Sequence, residues 1–351
     1  MSAQDVDLIL MTEPIAWYLK DLKKVPKKNI SVLTTFSCGG GSSMGYKLAG
    51  CDVMGCVEID EKIIEVYKKN LNPKYSFRMA LEDFNKLSLI DLPKEFQNLD
   101  ILDGSPPCSV FSLSGQREKN WGKEKFFREG QETQILDDLF FHFIKTARKL
   151  KPKVVIAENV KGLLVGNAKG YVKEIFNEFY KAGYDVQLFL FNSAKMNVPQ
   201  ARERTFFIAK RRDLNLPKLK FNFDNKNISF NDAIKGINEK QERKEIRSKL
   251  KPIWRATPAG KALSYAHPKG HYFNTCKINP NLPVPTVTAG KYTHTLPDMP
   301  FYLSEKELIR VQTFPDDYDF LNQDCQYITG MSVPPYMIKT LISSIVGQWN
   351  L

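Results

Sequence analysis

Short apolar runs alternate with longer amphipathic stretches between residues 30 and 212. The short runs are rich in aliphatic and β-branched residues and predict strands, whereas the longer stretches carry apolar residues at helical spacing. The predicted strands are Val32–Phe36, Asp52–Val57, Leu99–Leu102, Val154–Ala157, Val186–Phe191 and Thr205–Ala209. The predicted helices are Ser42–Ala49, Glu61–Asn70, Thr133–Leu150 and Val172–Lys181. This alternation is typical of βαβ units, so we expect an α/β fold with a parallel sheet covered by helices on both faces.

The regular pattern stops after residue 212. The stretch 213–284 is rich in Lys, Asn and Pro, and helical patterns return only near the C-terminus, as a capping box at Ser304 and an apolar stretch from Pro335 to Gln348. At the other end, Asp7 to Leu22 predicts an amphipathic helix. We therefore expect three parts, which are a helical extension (1–28), a larger α/β domain (29–212, completed by 328–351) and a smaller irregular domain (213–327).

Composition and cysteine content argue against a membrane protein, a secreted protein and a metal-binding protein. The 351 residues are 42% apolar and 26% charged, as in an ordinary globular protein. No apolar run reaches the roughly 18 residues of a membrane span, and the N-terminus carries no signal-peptide pattern, so we expect a cytoplasmic protein without a membrane partner. The six cysteines include no C-x-x-C pair, which indicates reduced thiols and no metal site.

The net charge of +12 is concentrated in one segment. Residues 201–280 contain nineteen Lys and Arg against seven Asp and Glu, so this segment alone accounts for the whole excess. A balanced body with a basic lobe favours a polyanionic partner such as nucleic acid. A solvated basic surface without a partner explains the charge equally well, and both readings stay open at this point.

Cys108 has the most informative surroundings in the chain. It lies in the segment GSPPCSVFS, which begins at Gly104 directly after an apolar run. Two prolines cannot continue a sheet, so the chain leaves the strand there in a fixed direction with the thiol at the strand edge. Such a thiol is placed for nucleophilic chemistry, although a turn beside a buried thiol is the commoner arrangement.

Two further segments fall where the same sheet edge would bring them. FSCGGG begins at Phe36 after a predicted strand, and ENV begins at Glu158 at the end of another. A fourth segment of interest, QARER, begins at Gln200. In parallel sheets, ligands bind beyond the C-terminal ends of the strands. The stretch from Ser114 to Gln131 is a long polar loop that mixes basic and aromatic residues, a composition that suits phosphate contact and base stacking as well as a disordered surface loop.

The order and spacing of these segments resemble the motif set of the DNA (cytosine-5)-methyltransferases, of the prokaryotic and phage restriction-modification type. The resemblance spans about Ile30 to Gln348, and its strongest block is DILDGSPPC, which ends at Cys108. It implies a Rossmann-like methyltransferase sheet that binds S-adenosyl-L-methionine, plus a smaller target-recognition domain. It also implies that the protein methylates carbon 5 of a cytosine in double-stranded DNA.

The resemblance assigns the catalytic roles residue by residue. Cys108 is the nucleophile that adds to carbon 6 of the cytosine, a covalent route that requires thiolate character. Glu158 binds cytosine N3 and the exocyclic amine, which is general-acid work. Arg204 matches the arginine that binds cytosine O2, and Arg202 positions the site or contacts the backbone.

The resemblance also places the cofactor. Glycines in the first turn allow close backbone approach, and the first amides of the following helix can bind a carboxylate. The residues implied to hold S-adenosyl-L-methionine are Phe36, Ser37, Gly39, Gly40, Gly41, Glu58, Ile59, Asp83, Phe84, Pro107, Leu139 and Ser332. Two positions depart from the family pattern, since Cys38 stands where a glycine is usual and Met331 replaces an asparagine.

DNA recognition is assigned to the basic segment 213–284, from which side chains would enter the major groove. The implied DNA-binding residues are Ser112, Gln200, Arg255 and Lys269, with Lys261, His267 and His271 as further positions in the same segment. The target base would be flipped out of the duplex, and the loop 114–131 would close over it. We expect a monomer associated with the nucleoid, and the sequence leaves open whether a restriction endonuclease acts on the same site.

Three other functions fit parts of the sequence. The first is a tRNA cytosine-5 methyltransferase on the same scaffold, and the absence of a Cys-Phe-Thr tripeptide argues against it. The second is a DNA-binding relative without catalysis, which the presence of Cys108, Glu158 and Arg204 disfavours. The third is a dinucleotide-dependent oxidoreductase, which lacks a full GxGxxG and leaves Cys108 unexplained.

Overall fold

The computed structural model of the protein describes residues 16–107, 124–125, 134–135, 138–164, 168–237 and 241–351. The chain divides into two units. The larger unit comprises Val25–Asn192, Glu203–Phe223 and Ile338–Leu351, and the smaller comprises Met1–Lys24, Ser193–Arg202 and Asp224–Met337. The three-part division expected from the sequence, with its boundaries at 28, 212 and 327, stays a prediction.

The elements are given in chain order. The strands are β1 (Ser31–Thr35), β2 (Asp52–Glu58), β3 (Tyr75–Arg78), β4 (Ile101–Gly104), β5 (Glu124–Lys125), β6 (Gln134–Ile135), β7 (Val154–Val160), β8 (Tyr184–Asn192), β9 (Gln200–Ala201), β10 (Glu203–Arg211), β11 (Cys276–Lys277), β12 (Val284–Pro285) and β13 (His294–Thr295). The α-helices are α1 (Gly41–Leu48), α2 (Glu61–Leu71), α3 (Leu81–Lys86), α4 (Leu139–Leu150), α5 (Ala168–Lys181), α6 (Phe230–Ala233), α7 (Lys251–Ala256), α8 (Glu305–Val311), α9 (Cys325–Met331) and α10 (Pro335–Trp349). Short 3₁₀ helices lie at Leu19–Lys24, Lys94–Asn98, Lys161–Leu164, Ser193–Lys195, Arg212–Leu214, Ser248–Leu250 and Leu263–Tyr265.

A seven-stranded sheet forms the centre of the larger unit, in the order β3-β2-β1-β4-β7-β10-β8. The pairs from β3 to β7 are all parallel, which confirms the predicted α/β class. The expectation of an entirely parallel sheet is wrong at β10, which runs antiparallel to both β7 and β8. The link from β8 to β10 is too short for a crossover helix, and a parallel connection needs a dozen or more residues.

Several element boundaries differ from the sequence prediction. β3 and α3 have no predicted counterpart, and β4 begins at Ile101 rather than Leu99. The helix expected from Thr133 begins at Leu139, because Gln134–Ile135 pairs with Glu124–Lys125 as a two-stranded ribbon. Residues 16–18 are not helical and are followed by the 3₁₀ helix Leu19–Lys24, so the described end of the predicted N-terminal helix is not α-helical.

The core of the larger unit packs α4 against the sheet. Phe140 and Phe143 on α4 are buried, and the Phe140 ring meets that of Phe207 on β10 edge to face at 5.1 Å. A side chain at Gly104, the last residue of β4, would lie 2.4 Å from Thr35 Oγ1 and 2.6 Å from a ring carbon of Phe143. Only glycine lets α4 approach the strand end this closely.

The smaller unit contains little regular structure, as expected for 213–284. One of its buried clusters consists of Ile246, Leu250, Trp254 and Leu263. Ser304 and Glu307 form the predicted capping box of α8. Among the described residues of both units, no helix is long and apolar enough to cross a membrane, and no group of His, Cys, Asp or Glu could hold a metal ion.

Candidate active site

The glycine turn follows β1 in the larger unit and leads into α1. Its backbone takes left-handed φ angles at Phe36 (51°), Cys38 (44°) and Gly40 (76°). At Gly40 a side chain would also meet Leu71 at 2.4 Å, so this glycine is required by both conformation and space. Cys38 occupies a conformation that favours glycine at a cost of about 1–2 kcal/mol, and such strain persists only where the surroundings enforce it.

Glu58 at the end of β2 holds the Cys38 backbone in this conformation. Its Oε2 accepts the Cys38 N–H at 2.8 Å, and its Oε1 accepts the Asp60 N–H at 3.1 Å. Burial raises the pKa of the Glu58 carboxyl, and these backbone bonds oppose the rise. An ionised carboxylate has about four acceptor positions, so each oxygen can still accept a hydroxyl from a ligand.

A nucleoside with a charged tail fits this part of the larger unit. The Glu58 carboxylate has spare acceptor positions for ribose hydroxyls, and the eight-residue helix α1 begins immediately after the glycine turn. Free amides at a helix N-terminus bind carboxylates. The donor and acceptor set of the turn, Glu58 and α1 therefore suits the ribose and the amino-acid end of an adenosyl-methionine.

Other residues predicted to bind the cofactor lie in different settings. Asp83 lies on α3, where it is exposed and pairs with Lys86 at 2.7 Å. Phe84 and Leu139 are fully buried, and the Phe84 ring packs edge to face on Phe77 at 5.1 Å. Their contacts with the cofactor stay predictions. Phe36, Ser37 and Ile59 are half-buried, and their contacts with the cofactor also stay predictions.

A buried ion pair joins two of the predicted catalytic residues. Glu158 on β7 and Arg204 on β10 lie on neighbouring antiparallel strands, and Arg204 Nε is 2.9 Å from Glu158 Oε1. The side chains are only 10% and 15% exposed. Burial lowers the pKa of Arg204, and the Glu158 carboxylate opposes this change. The pair therefore presents a charged, nearly dry surface at the end of β7.

Asn159 is a residue that the sequence reasoning passed over. It is 4% exposed, and its Nδ2 donates to the carbonyl of Pro106 at 3.1 Å. This bond fixes the proline segment that leaves β4 against the end of β7. Asn159 follows Glu158 directly, so the ENV segment contains the signal, although three letters are too few to reveal it.

Cys108, Ser112 and the predicted loop 114–131 lie outside the described residues, apart from the backbone of Glu124–Lys125. The structure therefore does not test their predicted roles. Pro107, the last described residue before Cys108, is half-buried.

In the smaller unit, Gln200 and Arg202 act as internal clamps. Arg202 is 3% exposed, and its Nη1 donates to the carbonyls of Val287 at 2.9 Å and Gly330 at 3.1 Å. Gln200 is fully buried and accepts the Val287 N–H at 2.9 Å. The Gln200 side chain does not reach the surface, and its predicted DNA contact stays a prediction.

Ser332 lies beyond α9 in the smaller unit. Its Oγ is buried and has no hydrogen-bond partner among the described residues. A buried hydroxyl without a partner is costly, so a ligand that bonds to it would be favoured. This agrees with, but does not test, the cofactor role that the sequence predicts for it.

The predicted DNA-reading residues of the smaller unit lie on its surface. Arg255, Lys261, Lys269 and His271 are exposed, and His267 is half-buried. The His267 Nδ1 accepts the backbone N–H groups of Lys269 at 3.1 Å and His271 at 3.3 Å. His267 therefore shapes the loop that carries the exposed cations, which is a different role from base contact.

Comparison with known proteins connects this geometry to a family. The sequence model of the family described as C-5 cytosine-specific DNA methylase matches residues 30–347. The Type II methyltransferase M.Sau96I of Staphylococcus aureus is 30% identical over 358 residues, covering 94% of this chain and 79% of that protein. The Type II methyltransferase M.FnuDI of Fusobacterium nucleatum is 33% identical over 193 residues, and this match covers 55% of this chain and 50% of that relative.

The fold has a solved counterpart. The crystal structure of an E. coli protein, described as a candidate DNA modification methyltransferase encoded within a prophage, matches with a TM-score of 0.70 at 20% identity and covers 92% of this chain and 100% of that one. At this identity the likeness concerns the fold. The match across residues 30–347 settles the family: the chain belongs to the C-5 cytosine-specific DNA methylases, the DNA (cytosine-5)-methyltransferases.

Proposed function

We propose that the protein transfers a methyl group from S-adenosyl-L-methionine to carbon 5 of a cytosine in a short double-stranded DNA sequence, through a covalent bond between Cys108 and cytosine carbon 6. The observation that carries the proposal is the buried Glu158–Arg204 pair, at the strand end where Asn159 holds the segment that leads to Cys108. Membership of the family supports the reaction that we propose, and this arrangement of residues supports its location.

Cys108 provides the electrons for the first step. Cytosine carbon 5 is a poor nucleophile because the ring is electron-poor. When the Cys108 thiolate adds to carbon 6, the carbon 5–carbon 6 double bond is lost, a double bond forms between carbons 4 and 5, and N3 takes up a proton. The resulting enamine can attack a methyl group through carbon 5. After methylation, loss of the carbon 5 proton to a base expels the thiolate and restores the ring.

Glu158 and Arg204 hold the pyrimidine during that attack. For this step Glu158 carries a proton, which it donates to N3 while its other oxygen accepts from the exocyclic amine, so that negative charge developing on the ring is neutralised at N3. Arg204 reaches O2 while its ion pair fixes the orientation of Glu158. Both groups lie in a site with little solvent, where electrostatic interactions are stronger than in water.

The glycine turn, Glu58 and α1 bind the cofactor. Glu58 accepts the ribose hydroxyls, and the first amides of α1 bind the carboxylate of the methionine moiety. Bound there, S-adenosyl-L-methionine supplies an electrophilic methyl group on a sulfonium sulfur. In the larger unit Asp83, Phe84, Leu139 and Pro107 complete the pocket, as the sequence motifs imply. The motifs alone assign Ser332 of the smaller unit to the cofactor.

The smaller unit binds and reads the DNA, with the target cytosine flipped out of the duplex at an unstacking cost of a few kcal/mol. Residues 224–280, which belong to this unit, contain twelve Lys and Arg against five Asp and Glu, and this excess supports the assignment. Arg255 and Lys269 are exposed there and are the side chains we assign to DNA contact, with Ser112 from the catalytic segment. The protein acts as a monomer within a cytoplasmic restriction-modification system whose endonuclease shares the target.

The test supplies radiolabelled S-adenosyl-L-methionine with either plasmid DNA or bulk tRNA, and nucleoside mass spectrometry identifies the product. We expect label in DNA as 5-methylcytosine, with bisulfite sequencing showing one recurrent short sequence. Label only in tRNA, or a product methylated on the exocyclic amine, would contradict the proposal. Glu158→Gln serves as the matched control, since it keeps the side-chain shape and should lose most of the activity.

A further inference from the structure

Asp103 is a buried carboxyl that the proposed reaction does not use. It lies on β4 and is 3% exposed. The hydroxyl of Tyr46 donates to Asp103 Oδ1 at 3.0 Å, and Thr35 Oγ1 donates to the Asp103 carbonyl at 3.1 Å. Among the described residues, no Lys or Arg forms an ion pair with it. Burying a carboxyl group without a cationic partner costs folding free energy, so such a group is usually kept for a functional reason.

The bond between Tyr46 and Asp103 joins two segments that the proposed function assigns to different tasks. Tyr46 is fully buried on α1, the helix that starts directly after the glycine turn. Asp103 is one residue before the end of β4, from which the chain enters the Pro106–Pro107 segment that Asn159 holds. One hydrogen bond therefore couples the cofactor helix to the strand that leads to the nucleophile.

The surroundings of Asp103 bring the pKa of its carboxyl close to neutral pH. Burial raises its pKa to about 7, and the nearby Glu158 carboxylate on β7 adds to the rise. The hydroxyls of Tyr46 and Ser42, both on α1, act in the opposite direction. Another titratable neighbour is Tyr67 on α2, whose hydroxyl donates to Ser43 of α1 at 2.8 Å and whose pKa the Asp103 charge helps to raise.

We propose that Asp103 is a positioning residue for the cofactor: through Tyr46 it seats α1 on β4, and its charge controls how well the first turn of α1 accepts a carboxylate. Ser42, which bonds to Asp103, belongs to that turn. An ionised Asp103 beneath the turn repels a second carboxylate bound to the amides, whereas a neutral Asp103 does not. This inference rests on the proposed function, which places the methionine carboxylate at α1.

The proposal predicts a pH dependence of cofactor binding. Since the carboxylate binds best when Asp103 is protonated, affinity must fall as pH rises through the titration of Asp103. Asp103→Asn mimics the protonated carboxyl in size and charge. It should therefore keep the low-pH affinity at all pH values. Tyr46→Phe loses the tether and should weaken binding about threefold to tenfold at every pH, the range expected for one hydrogen bond.

The experiment is titration calorimetry of the full chain with S-adenosylhomocysteine between pH 6 and pH 8, with thermal melting to confirm folding. The control is Tyr184→Phe, which removes another buried hydroxyl of the larger unit, one that donates to Pro152 at 2.8 Å away from α1. We expect the dissociation constant of the natural protein and of Tyr184→Phe to rise severalfold over this range, and that of Asp103→Asn to stay flat.

The outcomes separate this inference from the proposed function. Failure of the natural protein to bind S-adenosylhomocysteine at any pH would refute the cofactor assignment itself. Normal binding by the natural protein, with an unchanged pH profile in Asp103→Asn, would overturn the role of Asp103 alone. If Asp103→Asn does not fold, Tyr46→Phe decides: binding equal to that of Tyr184→Phe overturns the proposal, and selective weakening supports it.

Discussion

Replacing Arg204 by methionine should strongly destabilise the protein, because the substitution leaves the buried Glu158 carboxylate without its partner. Glu158 is 10% exposed and the two groups lie 2.9 Å apart, so water cannot replace the guanidinium. Removing one member of a buried ion pair typically costs about 3–5 kcal/mol, most of it the penalty for the stranded charge. Methionine keeps most of the volume, so cavity formation adds little.

A nearby surface pair provides the matched control. Lys161 Nζ and Glu203 Oε2 lie 2.8 Å apart between the same two regions of chain, but their side chains are 44% and 42% exposed. Exposed pairs contribute about 0–1 kcal/mol. Lys161→Met should therefore leave stability nearly unchanged, although it removes an ion pair of similar length.

Urea unfolding followed by circular dichroism gives the free energies of unfolding for Arg204→Met, Lys161→Met, Glu158→Gln and the double variant Arg204→Met/Glu158→Gln. We expect the cost of Arg204→Met to fall by about 2 kcal/mol when Glu158 is already neutral, since neighbouring groups couple at this magnitude. Equal costs of Arg204→Met in both backgrounds would refute the stranded-charge reasoning and leave Arg204 with a packing role.

Three other expectations follow from the site and the smaller unit. Glu58→Gln should weaken S-adenosylhomocysteine binding about tenfold or more in calorimetry, because the amide cannot accept both backbone N–H groups and the ribose hydroxyls, while the exposed neighbour Glu61→Gln should bind normally. Burial lowers the pKa of His294 to about 4. The stability that the neutral ring contributes is therefore fully present above pH 6.5 and is lost as pH falls toward 4. The difference between the ordinary pKa and the pKa of about 4 corresponds to about 3 kcal/mol, so His294→Asn should reduce the acid loss of stability by up to that amount. Lys269→Gln should reduce DNA affinity for all sequences and lower the slope of binding against salt by about one, whereas an unchanged slope would remove Lys269 from the phosphate contacts.

The sequence predicted the sheet and the motif positions because both depend on local signals. The buried runs before Phe36 and before Glu158 are strongly apolar, and glycines and prolines mark where the strands stop. β3 escaped notice because it has only four residues, alternating between exposed and half-buried, and α3 has only six. Short amphipathic segments such as these owe their structure to packing rather than to propensity.

The exposure of Asp83 and the burial of Gln200 could not be predicted from the sequence for a different reason. The resemblance assigns a cofactor contact to Asp83 and a DNA contact to Gln200, but the exposure of a single side chain depends on tertiary packing. Asp83 faces outward with Lys86, and Gln200 turns inward to the Val287 amide. Asp103 and Asn159 carry no pattern of their own, since their roles arise only when β4 lies beside β7 and α1.

The most direct measurement is covalent trapping on DNA that carries 5-fluorocytosine at the methylated position. Fluorine at carbon 5 cannot leave as a cation, so an enzyme that adds through its thiolate and then methylates stays bound to the base. With S-adenosyl-L-methionine present, we expect a denaturant-resistant adduct that peptide mass spectrometry maps to Cys108, and no adduct from a folded Cys108→Ser variant. An adduct at another residue, or normal DNA methylation by Cys108→Ser, would contradict the account.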